Sequence, residues 1–121
     1  MKIIKNENVL CVDIDETLIV STDDKDAKTC PIWDQVTKSF LAVQPHKPHI
    51  RLLHEEKSRG RFIIVWSRGG HAWAEAVVKG LGLLGTVDVI MSKPYAYIDD
   101  KPINEWLTEQ IYIPHNTEYK T

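Results

Sequence analysis

Three short runs of the sequence are apolar throughout, and they constrain the fold more than any other feature. Residues 9–14, 62–66 and 87–91 are rich in β-branched side chains and are bounded by polar or glycine-containing segments. Such runs are typical of parallel strands, whose sheets are covered on both faces. A shorter fourth strand is predicted at residues 95–98. The pattern predicts an α/β fold, a Rossmann-like three-layer sandwich with a mostly parallel sheet.

The segments between these runs carry helix signals. Pro48 suits the first turn of a helix that ends at Gly60, a typical residue just after a helix. A second helix is predicted after Gly69-Gly70, and a third begins at Pro102. The apolar side chains that define these two helices are Trp73, Val77, Leu81 and Leu84 in the second, and Ile103, Trp106, Leu107 and Ile111 in the third. Residues 31–44 are open to more than one interpretation, and we predict a short helix over 33–43. Residues 21–29 are predicted to form an exposed loop.

Composition limits the classes of function. The 121 residues suit one domain, and 43% hydrophobic with 26% charged residues is ordinary for a globular protein. Lys plus Arg number 15 against 17 Asp plus Glu, a net charge of −2, so no basic excess indicates nucleic acid or a membrane surface, although a local basic patch is compatible with this total. We expect no membrane partner and, without a signal-peptide pattern, a cytoplasmic location.

The two cysteines give no metal signal. Cys11 and Cys30 do not form a CxxC or zinc spacing. Cys11 lies inside the first apolar run, where we expect a buried thiol.

Polar side chains follow each predicted strand at its end. They are Asp13 and Asp15 after the first strand, Ser67 and Arg68 after the second, Ser92 and Lys93 after the third, and Asp99 and Asp100 after the fourth. The active sites of parallel α/β sheets lie beyond the carboxyl ends of the strands. These side chains are therefore the candidate functional residues.

Their chemistry fits phosphoryl transfer. Carboxylates that face one another repel unless a cation lies among them, and a set of oxygen ligands favours Mg²⁺. A carboxylate is also a possible nucleophile that forms an aspartyl-phosphate. Lys93 would neutralise phosphate oxygens and Ser67 would donate a hydrogen bond to one of them. Positioning and charge neutralisation are what this reaction mainly needs.

The ordered set of these residues resembles the haloacid dehalogenase superfamily of phosphatases, over roughly residues 9–111. The matching positions are Asp13-Ile14-Asp15-Glu16-Thr17 after the first strand, Ser67 at the end of the second, Lys93, and the Asp99-Asp100 pair. The resemblance implies a phosphatase of the small type without a substantial cap, within one domain over residues 1–121. Residues 66–70 with the final acid pair are also loosely similar to polynucleotide 3′-phosphatase domains.

The resemblance also implies catalytic and metal-binding roles. Asp13 attacks phosphorus, and Asp15 protonates the leaving group and then activates water. The side chain of Asp13, the backbone carbonyl of Asp15 and one acid of the final pair hold Mg²⁺. Asp100 is favoured for direct contact, with Asp99 orienting a water or Lys93, and the choice between the two stays open.

The same resemblance assigns the phosphate-binding side chains. Thr17 and Ser67 order the loop and the phosphate, and Lys93 contacts phosphate oxygens. Arg68 is included among the phosphate-binding residues. Glu16, where many members have glycine, is similar to the DxDET variant of phosphoprotein and acid phosphatases.

The predicted substrate follows from the small size of any insertion. Residues 18–47 leave room for a flap but not for a folded cap. The site is therefore expected to be open, with a rim from residues 20–35 and 68–71. It would admit a phosphate on a nucleic-acid end or a phosphoprotein, or a nucleotide, with Arg68 and Lys101 as candidate contacts to the larger body.

Other functions are compatible with part of this pattern. A receiver domain, a signalling module that accepts a phosphoryl group without turnover, shares the early acids and a Lys-Pro pair, but it needs an Asp where the chain has Ser67-Arg68. A catalytically silent phosphate-binding relative and a nucleic-acid binder are the further alternatives. The oligomeric state and the physiological substrate stay open.

Overall fold

The computed structural model of the protein describes residues 6–21 and 26–114. Six strands and two α-helices follow one another along these residues. They are β1 (Val9–Asp13), β2 (Ile19–Val20), β3 (Cys30–Asp34), β4 (Ser39–Pro45), α1 (Lys47–Ser58), β5 (Phe62–Ser67), α2 (His71–Gly80) and β6 (Val89–Ser92). Two 3₁₀ turns lie at Asn6–Asn8 and Ile103–Glu105.

The first three predicted strands form one parallel sheet in the order β1-β5-β6. Its register pairs Val9 with Phe62 and Ser67 with Ser92. The sheet confirms the prediction of an α/β fold with parallel strands, although β6 is shifted relative to the predicted run at 87–91. Because all three strands run in one direction, their carboxyl ends lie at one edge.

The two faces of this sheet are covered unequally. Ile63 and Val65 on β5 are completely buried and belong to one core cluster with Leu53 of α1 and Val77 of α2. Residues that alternate with them, such as Ile64, lie on the other face and are only half-buried. The described residues form no second helical layer, so the predicted three-layer arrangement is present only in part.

The predicted short helix over residues 33–43 is wrong, because this segment forms an antiparallel hairpin of β3 and β4. The carboxylate of Asp34 accepts a hydrogen bond from Val36 N–H, and this bond closes the turn between the two strands. Trp33 and Phe40 face each other across the strands, edge to face, with ring centroids 5.0 Å apart. Cross-strand aromatic pairing favours a hairpin over a helix at this position.

The first two predicted helices are confirmed. Pro48 lies in the first turn of α1, and Gly60 follows the helix with a φ of +96°, a conformation that favours glycine. In α2 the core face includes Val77, as predicted. Leu84, however, lies beyond the helix end and is exposed.

The predicted strand at 95–98 and the predicted helix from Pro102 are wrong. Residues 95–98 pair with no described strand, and between them and residue 114 the structure has a single 3₁₀ turn and no α-helix. Their apolar side chains, including Trp106, are exposed rather than packed on the core. A short helix has little to stabilise it when its apolar side chains are not buried against the core.

The loop predicted at 21–29 lies partly outside the described residues, since 22–25 are not among them. Ser21, Asp26, Lys28 and Thr29 are exposed, as expected. In the described part of the chain, no helix has the length and apolar character needed to cross a bilayer.

Candidate active site

Three strand ends meet at one edge of the parallel sheet. Asp13 is the last residue of β1 and pairs with Trp66, the residue before Ser67 on β5. Ser67 in turn pairs with Ser92, the residue before Lys93. The register therefore brings Asp13, Ser67 and Lys93 to the same edge of the sheet, as the sequence predicts.

A tight loop follows β1 and carries Asp15. The carbonyl oxygen of buried Ile14 accepts hydrogen bonds from the N–H groups of Thr17, Leu18 and Ile19 at 2.9–3.2 Å. Asp15 is exposed, whereas Asp13 is half-buried in the strand. The loop thus presents the Asp15 carboxylate outward while its backbone is held by the core.

The carboxylate of Asp15 has a partner on α2. The indole Nε1 of Trp73 donates a hydrogen bond to Asp15 Oδ1 at 3.2 Å. From the sequence, Trp73 is predicted only as part of the apolar face of a helix, and no pattern in the sequence indicates this contact.

The backbone of Thr17 is hydrogen-bonded to a histidine that no sequence motif indicates. His49 of α1 is 6% exposed, and its Nδ1 donates to the carbonyl oxygen of Thr17 at 2.8 Å. The other ring nitrogen, Nε2, accepts a hydrogen bond from Ile113 N–H at 2.8 Å. His49 therefore links the loop after β1 to the C-terminal part of the described chain.

Ser67 is completely buried and organises the turn that follows β5. Its Oγ accepts a hydrogen bond from Gly69 N–H at 3.0 Å, which leaves its own O–H available as a donor. Its carbonyl oxygen accepts from Gly70 N–H at 3.1 Å and from Lys93 N–H at 2.8 Å. These bonds fix Lys93 beside the Ser67 turn.

The side chains of Lys93 and Arg68 extend from this turn. Lys93 is half-buried, and its ammonium lies 5.8 Å from the ring centroid of Trp66, a cation–π distance. Arg68 is exposed. Ser92 Oγ accepts from His71 N–H at 3.0 Å and so joins the end of β6 to the start of α2.

The predicted acid pair, Asp99 and Asp100, lies on a segment that is not part of the parallel sheet. Asp99 and Asp100 are both exposed, and Asp99 Oδ1 accepts a hydrogen bond from Lys101 N–H at 3.0 Å, as in an Asx turn. Among residues 6–21 and 26–114, no three His, Cys, Asp or Glu side chains lie close enough together to hold a metal ion. The structure therefore shows no set of three such groups around Asp13 and Asp15 among these residues, and the metal-binding role of Asp99 and Asp100 stays a prediction.

The two thiols lie away from this edge. Burial raises the pKa of the Cys11 thiol on β1 and of the Cys30 thiol on β3. Cys11 is half-buried rather than fully buried as expected.

Comparisons with known proteins add no assignment. No protein-family model matches the chain, and neither a curated protein nor a solved structure matches it.

Proposed function

We propose that the protein is a phosphomonoester hydrolase of the haloacid dehalogenase type, with a Rossmann-like fold and an aspartyl-phosphate intermediate. The observation that carries this proposal is the register of β1, β5 and β6, which gathers Asp13, Ser67 and Lys93 at one sheet edge. A nucleophilic carboxylate, a hydroxyl donor and an ammonium are the groups that phosphoryl transfer needs. Asp15 adds an exposed carboxylate two residues after the nucleophile.

In the proposed reaction, an Asp13 oxygen forms a bond to phosphorus while the bond from phosphorus to the leaving oxygen breaks. Asp15 gives its proton to that leaving oxygen. Asp15 then accepts a proton from a water that attacks phosphorus, which releases phosphate and restores Asp13. Proton transfer by a placed carboxyl group contributes roughly 10²–10⁴-fold to such rates.

Three groups would hold the phosphate in this reaction. The Ser67 O–H is available as a donor, and the bond from Lys93 N–H to the Ser67 carbonyl keeps the Lys93 backbone next to the same turn, from which its ammonium would reach the phosphate. Arg68 extends into solvent from the same turn and would contact the phosphate or the body of the substrate.

Mg²⁺ is the proposed cofactor. It commonly binds proteins through only one or two carboxylates and keeps several waters, so the oxygen donors at the end of β1 fit it. The Asp13 carboxylate and the Asp15 carbonyl would hold the ion, with Asp99 or Asp100 as an additional ligand. When bound, the ion would neutralise charge on the phosphate oxygens.

The proposed substrate carries its phosphate on a large body. In the described part of the chain, the insertion after Asp15 consists of the hairpin of β3 and β4, and nothing is inserted between the end of β6 at Ser92 and Lys93. With no evident cap over the strand ends, little surface is available to enclose a small metabolite. A nucleic-acid end or a phosphoprotein is therefore favoured over a free sugar phosphate, with nucleotides as the smallest candidates.

The test is hydrolysis of a substrate panel by the purified protein with Mg²⁺. The panel contains nucleotides, sugar phosphates, phosphopeptides and 3′-phosphorylated oligonucleotides. We expect turnover of at least one substrate, and acid-quenched enzyme should carry phosphate on Asp13. A stable phosphoryl-protein without turnover would instead support the receiver alternative.

A further inference from the structure

Trp73 contacts the carboxylate that the proposed reaction uses as its proton donor. Its indole Nε1 lies 3.2 Å from Asp15 Oδ1. The ring is half-buried and lies in the first turn of α2. That turn is fixed at two points, by Gly70 N–H on the Ser67 carbonyl and by His71 N–H on Ser92 Oγ. The indole is therefore a fixed donor directed at an exposed side chain.

The chemistry of this contact makes the two oxygens of Asp15 unequal. An indole N–H donates a hydrogen bond and accepts none. Oδ1 is therefore held as an acceptor, which favours Oδ2 as the oxygen that carries the proton of the carboxyl group. The rotation of the carboxyl group is restricted at the same time, so Oδ2 points in one direction.

The residue at position 69 leaves room for the indole. A Cβ added at Gly69 would lie 3.1 Å from Trp73 Cδ1 and 3.3 Å from Ser67 Oγ. Both distances are tighter than ordinary packing, so a side chain here would push the indole or the hydroxyl aside. Glycine thus lets the ring lie between the Ser67 turn and Asp15.

We propose that Trp73 is a positioning residue that directs Oδ2 of Asp15 toward the leaving oxygen of the substrate. The inference rests on the proposed phosphatase function. In the step concerned, the bond from phosphorus to the leaving oxygen breaks and the proton moves from Oδ2 to that oxygen. Trp73 does not touch the substrate, and it acts by holding Asp15.

The experiment compares two leaving groups in Trp73→Phe, which keeps an aromatic ring and removes the donor. An alkyl phosphate needs protonation of its leaving oxygen, whereas a nitrophenyl phosphate departs as a stable anion. The value of kcat/KM for each substrate reports only the steps up to and including departure of the leaving group. We expect kcat/KM to fall about tenfold for the alkyl phosphate, the upper end of what one hydrogen bond contributes, and to change little for the aryl phosphate.

Two further variants sharpen this comparison. Gly69→Ala keeps the indole but crowds both the indole and the Ser67 hydroxyl, so it should lower kcat/KM for both substrates and lower it more for the alkyl phosphate. Trp106→Phe is the matched control, because Trp106 is exposed on the 3₁₀ turn and contacts Tyr97 rather than the site. It should leave both rates unchanged.

The outcomes separate this inference from the proposed function. Equal losses on both substrates would give Trp73 a structural role only and would overturn the inference, as would no loss on either. A wild-type protein that hydrolyses neither substrate, nor any other in the panel, would overturn the proposed function itself, and the inference with it.

A second measurement tests the contact without relying on activity. The indole N–H resonance of Trp73, identified by its loss in Trp73→Phe, should shift in Asp15→Ala and stay in place in Asp34→Ala. An indole resonance that does not respond to Asp15→Ala would overturn the inference even in an active enzyme.

Discussion

The Nδ1 of His49 donates a hydrogen bond of 2.8 Å to the carbonyl oxygen of Thr17. The same imidazole accepts the N–H of Ile113, so one buried ring holds both the loop after β1 and the C-terminal part of the described chain. We expect His49→Ala to lower the free energy of unfolding by about 2 kcal/mol, because two partly buried backbone groups lose their partner.

Chemical denaturation measures this loss, with His54→Ala as the control. His54 is exposed, and its substitution should change stability by less than about 0.5 kcal/mol. Equal stability of the two variants would contradict the role assigned to His49.

Asp13→Asn should abolish turnover while it leaves the fold intact. The amide is nearly the same shape as the carboxylate but does not attack phosphorus, so we expect kcat to fall by roughly 10⁴-fold or more. Asp34→Asn, in the hairpin turn, is the matched control and should retain activity. Near-native phosphatase activity of Asp13→Asn, with an unchanged melting temperature, would show that the nucleophile is assigned wrongly.

Activity should require Mg²⁺ and be lost in a chelator. Ca²⁺ should support it poorly, because it prefers more ligands and a looser geometry. Binding to the native state alone should also raise stability, by about 2.7 kcal/mol at a concentration one hundred times Kd. Thermal denaturation with and without Mg²⁺ checks this, and Asp13→Asn should show a smaller rise. Full activity in chelator would remove the ion from the proposed mechanism.

At least one macromolecular phosphate should give a higher kcat/KM than the best small metabolite. Arg68→Ala should lower that value for the large substrate more than Lys101→Ala does, since Arg68 lies next to Ser67 at the sheet edge. Lys79→Ala, near the opposite end of α2, is the control. A single sugar phosphate or mononucleotide preferred by a wide margin, with oligonucleotides and phosphopeptides inert, would contradict the open-site argument.

The thiols of Cys11 and Cys30 should react slowly in the native protein. Burial raises the pKa of both, so less thiolate is present at pH 8 than in the unfolded chain. Because the unfolded chain loses these protons first, stability should fall as the pH rises through the unfolded-state pKa. Alkylation rates in buffer and in urea measure the first effect, with Cys11→Ala and Cys30→Ala used to assign each thiol. Equal rates in both conditions would contradict it.

The strands of the parallel sheet could be predicted because each is a continuous apolar run that ends in a polar residue. The hairpin could not. Its strands depend on contacts that no continuous apolar run signals, such as the cross-strand pair Trp33–Phe40 and the burial of Ile32 in the core cluster. The described segment after Lys93 has the apolar spacing of a strand and a helix, yet its large apolar side chains are exposed and do not join the core cluster, so the pattern alone is misleading there.

The candidate site follows the same division. Asp13, Ser67 and Lys93 could be placed together from sequence, because parallel strands bring their ends to one edge. The contact of Trp73 with Asp15 could not, since it depends on how the loop turns, with Glu16 at a φ of +60°. No sequence pattern predicts the role of His49, because the backbone groups of Thr17 and Ile113 that it bonds are far from it in the sequence.

The pairing of β1 with β5 determines the order in which the chain can fold. Val9 has its register partner at Phe62, whereas Trp33 and Phe40 of the hairpin are close in sequence. Contacts between near positions close faster than contacts between distant ones. During synthesis, the hairpin can therefore form before β5, the strand that pairs with β1, has left the ribosome. Until then, the apolar side chains of the first strand lack the neighbour with which the strand pairs in the native sheet, and exposed apolar segments of this kind are prone to aggregation.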